Sequence, residues 1–162
     1  MKNLIDQKYL EKRRILYGIP GIYVLTHKGR SFTGLNKRAD KIRIDQINHD
    51  ITTLDVVINV MENEHVSMNQ IVSEKELHSK DGFGTRKHHP DFIYEKNGES
   101  YAVEVELSLK TRERIEENAK LNYLNYDYQI WFIKRENKKI ETAVINVLNN
   151  LANASIEYIE GD

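Results

Sequence analysis

Asn97 and Gly98 separate two segments rich in β-branched and aromatic residues, and no other feature of the sequence constrains the fold as strongly. An Asn-Gly pair favours a two-residue hairpin turn, because both turn positions take a positive φ that these residues tolerate. The flanking segments, Asp91–Glu95 and Ser100–Leu107, are therefore predicted to form two antiparallel strands. A tight hairpin fixes its own register, so the turn also predicts which side chains share a face of the sheet.

Apolar periodicity predicts further helices and strands around this hairpin. In the first part of the chain we expect a basic helix over Tyr9–Tyr17, a strand over Ile22–Thr26, a return strand over Ser31–Thr33, and a linker or helix start over Lys37–Arg43. Later we expect helices over Asp45–Glu62, Lys110–Leu124 and Lys138–Leu151, a helix start at Ser73–Glu76, a loop over Ser79–His89, and strands over Tyr128–Ile133 and Ala154–Ile159. This order predicts an α/β domain built on a mixed sheet flanked by helices.

Two of these helices carry an apolar stripe, which predicts the face that each one buries. Residues three or four apart lie on one side of a helix. The stripe of the helix over 45–62 is Ile44, Ile47, Ile51, Leu54, Val57, Ile58 and Met61. The stripe of the helix over 138–151 is Ile140, Val144, Val147, Leu148 and Leu151.

Composition excludes several classes of protein. The chain has 162 residues, about one domain, and 40% of them are hydrophobic, which is enough to form a core. It contains no cysteine, so disulfide scaffolds, cysteine nucleophiles and thiolate metal sites are excluded. No apolar run approaches the roughly 20 residues of a membrane span, and Met1–Asp6 lack the apolar stretch of a signal peptide. We therefore expect a cytoplasmic protein without a membrane partner.

Charge divides the chain into two regions, although the net charge is only −1. Residues 1–43 contain 11 Lys and Arg against 3 Asp and Glu, whereas residues 44–162 contain 13 against 22. A basic region is typical of a surface that binds phosphate, so 1–43 is predicted to be a DNA-binding segment and 44–162 a separate domain. A solvated basic helix would give the same charge, and this alternative stays open.

Three carboxylates share one face of the predicted hairpin. The turn puts Asp91 opposite Glu104 and His89 opposite Glu106, and period-two alternation leaves the three acidic residues on one side. Like charges opposite each other destabilise a hairpin, whereas a divalent cation would reverse the sign of that interaction. Such a site suits metal-assisted cleavage of a phosphodiester. The alternative is an exposed strand face with solvated carboxylates. The other face is apolar, with Phe92, Tyr94, Tyr101, Val103, Val105 and Leu107.

The residues on the acidic face resemble the PD-(D/E)xK motif of the restriction-endonuclease-like superfamily. They are Pro90-Asp91, Glu104-x-Glu106 and Lys110. The wider sequence, over about residues 15–150, is similar to the plasmid replication-relaxation family, which includes relaxases of the MobC type. The segments that carry this similarity are Ile22–Thr26, Ser73–Leu77, Pro90-Asp91 and Val105–Lys110. The resemblance implies a mixed sheet flanked by helices, with a winged-helix domain in front, of which residues 1–43 would be a partial remnant.

The resemblance also implies roles for individual residues. Asp91 and Glu104 would bind Mg²⁺ or Mn²⁺, and the position two residues after the glutamate usually holds a lysine that orients or activates water. This chain has Glu106 there, which departs from the motif. Either Lys110 reaches back with its ammonium toward the phosphate, or Glu106 is a third metal ligand. The candidate catalytic residues are thus Asp91, Glu104, Glu106 and Lys110, and the candidate metal ligands are the three carboxylates.

Basic and histidine side chains complete the candidate set. The predicted DNA-binding residues are Lys12, Arg13, Arg14, Lys28, Arg30, Arg86, Lys87 and His88. His88 and His89 precede the motif and are candidates for contact with phosphate or metal, although loop histidines are more often solvated. Glu74 matches the family pattern upstream, where a helix cap or an ion pair is an equal alternative.

Together these features predict a metal-dependent DNA-nicking protein of plasmid mobilisation or replication, which hydrolyses a phosphodiester at an origin. Its partners would be double- or single-stranded plasmid DNA and other mobilisation or replication proteins, with a homodimer left open. A second hypothesis is a non-catalytic DNA-binding accessory protein with the same fold. A third is a small dimeric binding protein without a nucleic-acid role.

Overall fold

The computed structural model describes residues 1–15, 17–18, 20–34, 43–82 and 87–159. It divides the chain into two compact units, Met1–Ile47 and Asn48–Asp162. The first unit contains a two-stranded sheet and the second a five-stranded sheet. None of the described helices is long and apolar enough to cross a membrane.

The first unit is built around two short antiparallel strands. Its elements are α1 (Lys2–Asp6), β1 (Leu10–Arg13), β2 (Ile22–Leu25) and α2 (His27–Phe32). The strands pair from Leu10 opposite Leu25 onwards. Thr26 then caps α2, because its hydroxyl accepts a hydrogen bond of 3.1 Å from the Gly29 amide.

Two predictions for the first unit are wrong. Tyr9–Tyr17 is not a helix, since residues 10–13 form β1, and its backbone bonds to β2 outweigh the helix propensity of the Glu, Lys and Arg in it. Ser31–Thr33 is not a return strand, because the capped helix α2 begins directly after β2. The strand predicted over Ile22–Thr26 is confirmed over residues 22–25. Of Lys37–Arg43, only the last residue is described.

The second unit is an α/β domain on a mixed sheet flanked by helices, as the sequence predicted. Its helices are α3 (Ile47–Glu64), α4 (Glu74–His78), α5 (Arg112–Asn125) and α6 (Lys138–Leu148), and its strands are β3 (Ile71–Ser73), β4 (Phe92–Lys96), β5 (Glu99–Glu106), β6 (Tyr128–Lys134) and β7 (Ala154–Ile159). Two short 3₁₀ turns precede α3 and β3, at Ile44–Gln46 and Met68–Gln70. The strands lie in the order β3-β4-β5-β6-β7. The first three run antiparallel, and β6 and β7 continue parallel to β5.

The Asn-Gly hairpin joins β4 to β5 in the predicted register. Asn97 and Gly98 have φ values of 54° and 84°, the positive values that a type I′ turn requires. The antiparallel ladder ends at the pair of Phe92 and Val103. Asp91 therefore lies one residue beyond the strand, where its side chain can turn toward the end of β5.

Helices cover both faces of the sheet and bury two apolar clusters. One cluster lies between α3 and the sheet and contains Val56, Val57, Val60, Val66, Phe92, Tyr94, Val103, Val105 and Phe132. The other lies between the sheet and the pair α5 and α6, and contains Ile115, Ala119, Trp131, Ile133, Ile140, Val144 and Leu148. The face predicted for α6 is the one that it buries. The apolar face predicted for the hairpin also packs into the first cluster.

The apolar stripe predicted for α3 is largely the wrong face. The buried side chains of α3 are those of Val56, Val57 and Val60. Of the predicted stripe, Val57 is thus buried as expected, and Met61 packs against the same cluster. The stripe residues Ile44, Ile51, Leu54 and Ile58 are instead between 46% and 53% exposed. Apolar residues extend around more than half of the helix circumference, so periodicity alone does not select the face that meets the sheet.

The edge strand β3 has no clear signal in the sequence, because three residues are too few to show an alternating pattern. The helix start predicted at Ser73–Glu76 is confirmed as the start of α4. Ser73 and Glu76 form a capping box, in which each side chain accepts a hydrogen bond from the other residue's amide. This cap holds α4 at the end of the sheet that also carries Asp91.

Burial predicts which helix positions matter for stability. Ile115 in α5 is 1% exposed, so Ile115→Ala should lower the free energy of unfolding by about 2–5 kcal/mol. Ile58 in α3 is 46% exposed, and Ile58→Ala should change it by less than about 0.5 kcal/mol. Urea unfolding of both variants measures the difference. Equal losses would contradict the assignment of the two faces.

Candidate active site

β5 carries the two glutamates of the predicted motif into the interior. Alternation along the strand directs Val103 and Val105 toward α3, and Glu104 and Glu106 toward α5. Glu104 is 3% exposed and Glu106 is 2% exposed. The alternative of an exposed strand face with solvated carboxylates is therefore wrong for both glutamates. Each of them needs donors from the protein, because a buried carboxylate without partners is very costly.

Asp91 is fixed against the backbone of β5. Its Oδ2 accepts a hydrogen bond of 2.7 Å from the amide of Val105, the residue after Glu104. Its Oδ1 lies 3.4 Å from Nε2 of His49, a residue of α3. The backbone carbonyl of Asp91 also accepts a hydrogen bond of 2.8 Å from the amide of Glu74. Contacts from three directions thus hold the carboxylate beside the glutamate strand.

His49 is a site residue that the sequence analysis missed. Its Nε2 lies 3.1 Å from the Val105 carbonyl, as well as close to Asp91. The hydrogen bond to the Asp91 carboxylate raises the pKa of His49 to about 9, although partial burial acts in the opposite direction. No sequence signal points to this contact, because His49 precedes the motif by a whole helix and is one of six histidines.

Glu104 receives both of its hydrogen bonds on one oxygen. Its Oε1 lies 2.8 Å from Nε2 of His88 and accepts a bond of 2.9 Å from the side-chain amide of Asn122. Burial raises the pKa of Glu104, and the neighbouring charge of Asp91 raises it further, while these two bonds oppose the shift. Asn122 was also missed. One sequence signal for its burial exists, because Asn122 lies on the same side of the helix as the apolar residues Ile115 and Ala119.

Glu106 is paired with the lysine of the motif. Its Oε2 lies 2.7 Å from Nζ of Lys110, an ion pair that is the sole contact of this oxygen among the described residues. Its Oε1 accepts a hydrogen bond of 3.3 Å from the amide of Ser108. Burial alone would lower the pKa of Lys110, but the charge of Glu106, followed by those of Glu104 and Asp91, raises it. The ammonium of Lys110 therefore lies at the end of the Glu106 side chain. Glu106 occupies the position at which the PD-(D/E)xK resemblance implies a lysine.

His89 and Glu74 lie near the site, but their side chains face other partners. His89 does not continue the strand opposite Glu106, because pairing stops at β4, and its Nε2 lies 2.9 Å from Oδ2 of Asp81. The carboxylate of Glu74 lies 3.4 Å from Nε2 of His78. Glu74 thus meets Asp91 only through its backbone amide.

Asp91 and Glu104 fit a small, hard divalent cation. Carboxylate oxygens are the ligands that Mg²⁺ and Mn²⁺ prefer, and Mg²⁺ commonly takes one or two of them and keeps several waters. The repulsion that Asp91 adds at buried Glu104 is an interaction that a cation would relieve. Glu106 faces Lys110 instead. Among the described residues, His78, Asp81 and His89 form the one group of three potential ligands with all ligand atoms within 4.8 Å of one another.

Most predicted DNA-binding cations of the first unit already have partners inside it. These partners are the Tyr23 ring for Lys12, the Glu11 carboxylate for Arg13, the Gln7 carbonyl and Tyr9 ring for Lys28, and the Leu25 carbonyl for Arg30. Arg14 and Lys87 are exposed and have no partner in the part of the chain that the structure describes. His88 faces Glu104, and Arg86 lies outside the described residues.

Comparison with known proteins adds no relative. No family model, no curated protein and no solved structure matches this chain.

The buried ion pair predicts a large effect of removing Lys110. Lys110→Met should lower the free energy of unfolding by about 3 kcal/mol, because Glu106 would stay buried without a cation. Replacing both residues, as in Glu106→Leu with Lys110→Met, should restore most of that loss. The exposed pair of Arg112 and Glu116 is the matched control, and Arg112→Met should leave stability nearly unchanged. Denaturant unfolding of all variants would refute the pair's role if Lys110→Met behaved like this control.

The raised pKa of His49 gives a pH dependence with a defined sign. In metal-free protein, NMR titration of the His49 ring should show a midpoint near 9, and Asp91→Asn should return it toward 6.5. Because the folded pKa exceeds the unfolded one, the charged ring stabilises the fold fully below pH 6.5, and this contribution is lost as pH rises through about 9. The wild-type protein should therefore melt at a higher temperature than His49→Gln below pH 6.5, and this difference should shrink as the pH rises toward about 9. A midpoint at or below 6.5 would contradict the contact.

Proposed function

We propose that the chain is a Mg²⁺- or Mn²⁺-dependent DNA-nicking protein that acts in plasmid mobilisation or replication. It would hydrolyse one phosphodiester bond of plasmid DNA at an origin, where water adds to phosphorus and one P–O ester bond breaks. The observation that carries the proposal is the acidic pair of Asp91 and buried Glu104 beside the Lys110 ammonium. The resemblance to the PD-(D/E)xK motif implies this combination of residue types.

Asp91 and Glu104 would hold the cation. When bound, such an ion would polarise the phosphate and lower the pKa of a bound water. The protein's own contribution is to orient the two carboxylates. His49 and the Val105 amide restrain Asp91, and the bonds from His88 and Asn122 restrain Glu104 on its Oε1, so that Oε2 takes part in neither bond.

Lys110 would supply the positive charge that the motif's lysine usually provides. Its ammonium approaches the acidic pair from the turn before α5 and is held there by Glu106. Its pKa is raised by the three carboxylates, so it stays charged and would attract a phosphate rather than accept a proton from water. The glutamate at position 106 can be compensated in two ways, by a cation from Lys110 or by Glu106 as a third metal ligand. The ion pair between Lys110 and Glu106 favours the first.

Binding of plasmid DNA, double- or single-stranded, would rest on cations around this site and in the basic first unit. Arg14 and Lys87 are the exposed candidates without an internal partner among the described residues. Contacts of this kind position a protein on the DNA backbone and carry no sequence information. Recognition of an origin would then fall to other mobilisation or replication proteins, or to base contacts elsewhere on the chain.

A second candidate function is that of a non-catalytic DNA-binding accessory protein. The observation that favours it is that both oxygens of Asp91 and one oxygen of Glu104 already have partners within the protein. A chain that had lost its cation would retain such contacts for stability. It would bind origin DNA without cleaving it.

Conversion of supercoiled plasmid to the open-circular form tests the first proposal. Wild-type protein should nick the plasmid with Mg²⁺ or Mn²⁺ and not with EDTA. Asp91→Asn and Glu104→Gln should each reduce the rate about 100-fold or more, because each removes part of a cation site that contributes several kcal/mol to the barrier. Glu95→Gln, an exposed carboxylate on the same hairpin, should retain full activity.

Two results would contradict this function. Nicking by Asp91→Asn at the wild-type rate would exclude the acidic pair. A gel shift of origin DNA with no nicking under any divalent cation would instead support the accessory protein. Circular dichroism of each variant checks that it is folded. Glu104→Gln keeps an oxygen for both bonds that Glu104 accepts, and Asp91→Asn keeps one for the Val105 amide but loses the second acceptor, which faces His49.

A further inference from the structure

A second cluster of potential ligands lies at the end of α4 and in the loop after it. It contains the side chains of His78, Asp81 and His89. Oδ2 of Asp81 lies 3.1 Å from Nδ1 of His78 and 2.9 Å from Nε2 of His89. The two imidazole rings meet edge to face with their centroids 4.7 Å apart. Three donor atoms from three side chains therefore lie within 4.8 Å of one another.

Two of the three separations between these atoms are close to those of ligands around a metal ion. Nitrogen and oxygen ligands of tetrahedral Zn²⁺ have bonds of about 2.0–2.1 Å, which puts neighbouring ligand atoms roughly 3.3 Å apart. The observed separations of 3.1 Å and 2.9 Å differ from this value by only a few tenths of an ångström. An ion bound to all three atoms would replace these two hydrogen bonds, and each imidazole ring would turn so that its ligand nitrogen faces the ion.

The surroundings of the cluster also suit a metal centre. The other ring nitrogen of His78, Nε2, lies 3.4 Å from the carboxylate of Glu74, one helical turn earlier. Ligating histidines commonly donate their second N–H to a carboxylate, which orients the ring and increases its basicity. Asp81 and His89 are 11% and 16% exposed, whereas His78 is 40% exposed, so one side of the cluster is open to solvent.

We propose that His78, Asp81 and His89 bind one divalent transition-metal ion of the zinc class, with solvent as the fourth ligand. Two imidazole nitrogens and one carboxylate favour Zn²⁺ or Co²⁺ over Mg²⁺, which prefers oxygen. This donor set shares no side chain with Asp91 and Glu104. The site therefore does not depend on the proposed nuclease function, and the two can be tested separately.

Titration of the metal-free, full-length protein with Co²⁺, a spectroscopic substitute for Zn²⁺, tests the proposal. In excess Mg²⁺, which competes for Asp91 and Glu104, we expect saturable binding of one equivalent of Co²⁺, with visible absorption bands of a low-coordinate ion and displacement by Zn²⁺. Asp81→Asn should weaken binding about tenfold or more, since the amide can still accept hydrogen bonds but is a poor ligand. His78→Gln, at the most exposed ligand, should have a similar effect. Added Zn²⁺ should raise the melting temperature of the wild-type protein more than that of Asp81→Asn.

Two control variants keep these ligands and should bind Co²⁺ like the wild-type protein. His65→Asn removes an exposed histidine outside the cluster, and asparagine tolerates the positive φ of 55° at that position. Asp91→Asn removes one carboxylate of the acidic pair and leaves His78, Asp81 and His89 in place. Absence of saturable Co²⁺ binding, or wild-type affinity in both Asp81→Asn and His78→Gln, would overturn the proposal. The proposal would also be overturned if Asp91→Asn were the one variant that lost Co²⁺ binding, because the ion would then be bound by Asp91 and Glu104.

Discussion

Burial of two glutamates on one strand is the constraint on which the surrounding structure depends. A carboxylate moved from water into a protein interior loses several kcal/mol of solvation unless donors replace the water. The fold brings these donors from three elements: His88 from the loop before β4, Asn122 from α5, and Lys110 from the turn between β5 and α5. The loop, the helix and the turn must therefore lie where their donors reach Glu104 and Glu106.

The two glutamates are stabilised in different ways, and the difference bears on function. Glu106 is matched by a full positive charge at 2.7 Å, so the pair carries no net charge. Glu104 has a histidine and an amide as donors, and no lysine or arginine pairs with it within the described residues. Asp91 stands beside it and adds repulsion. Apolar residues would fill a purely structural position at lower cost, and this cost is what the cation proposed for the acidic pair would offset.

Local signals were sufficient for the centre of the fold. The Asn97-Gly98 turn gave the hairpin and its register, and alternation along β5 gave the shared face of Glu104 and Glu106. Both are consequences of covalent geometry over a few residues, so no knowledge of the distant chain is required. The continuous apolar run of β6 predicts a strand buried on both faces, and the stripe of α6 predicts a helix buried on one face; both patterns are local, and both are confirmed.

Contacts between distant segments could not be predicted in the same way. His49 and Asn122 meet the acidic residues from α3 and α5. Asn122 lies on the apolar side of α5, which indicates burial but not its partner, and nothing near His49 distinguishes it from the other histidines. The face of α3 was misassigned because the sheet, and not the helix, decides which apolar side is buried. In the first unit, residues 10–13 have the propensity of a helix but pair as β1, since partner strand β2 supplies backbone bonds that propensity cannot outweigh.

Consecutive histidines connect the two candidate metal centres. His88 faces Glu104 at 2.8 Å, and the next residue, His89, faces Asp81 at 2.9 Å. Because the two residues share a peptide bond, an ion that fixed His89 would also limit the backbone positions open to His88, whose ring orients Glu104. Restraint of a donor before the cation binds lowers the entropic cost of assembling the acidic site. An ion of the zinc class at His78, Asp81 and His89 would therefore favour Mg²⁺ binding at Asp91 and Glu104 without contacting either carboxylate.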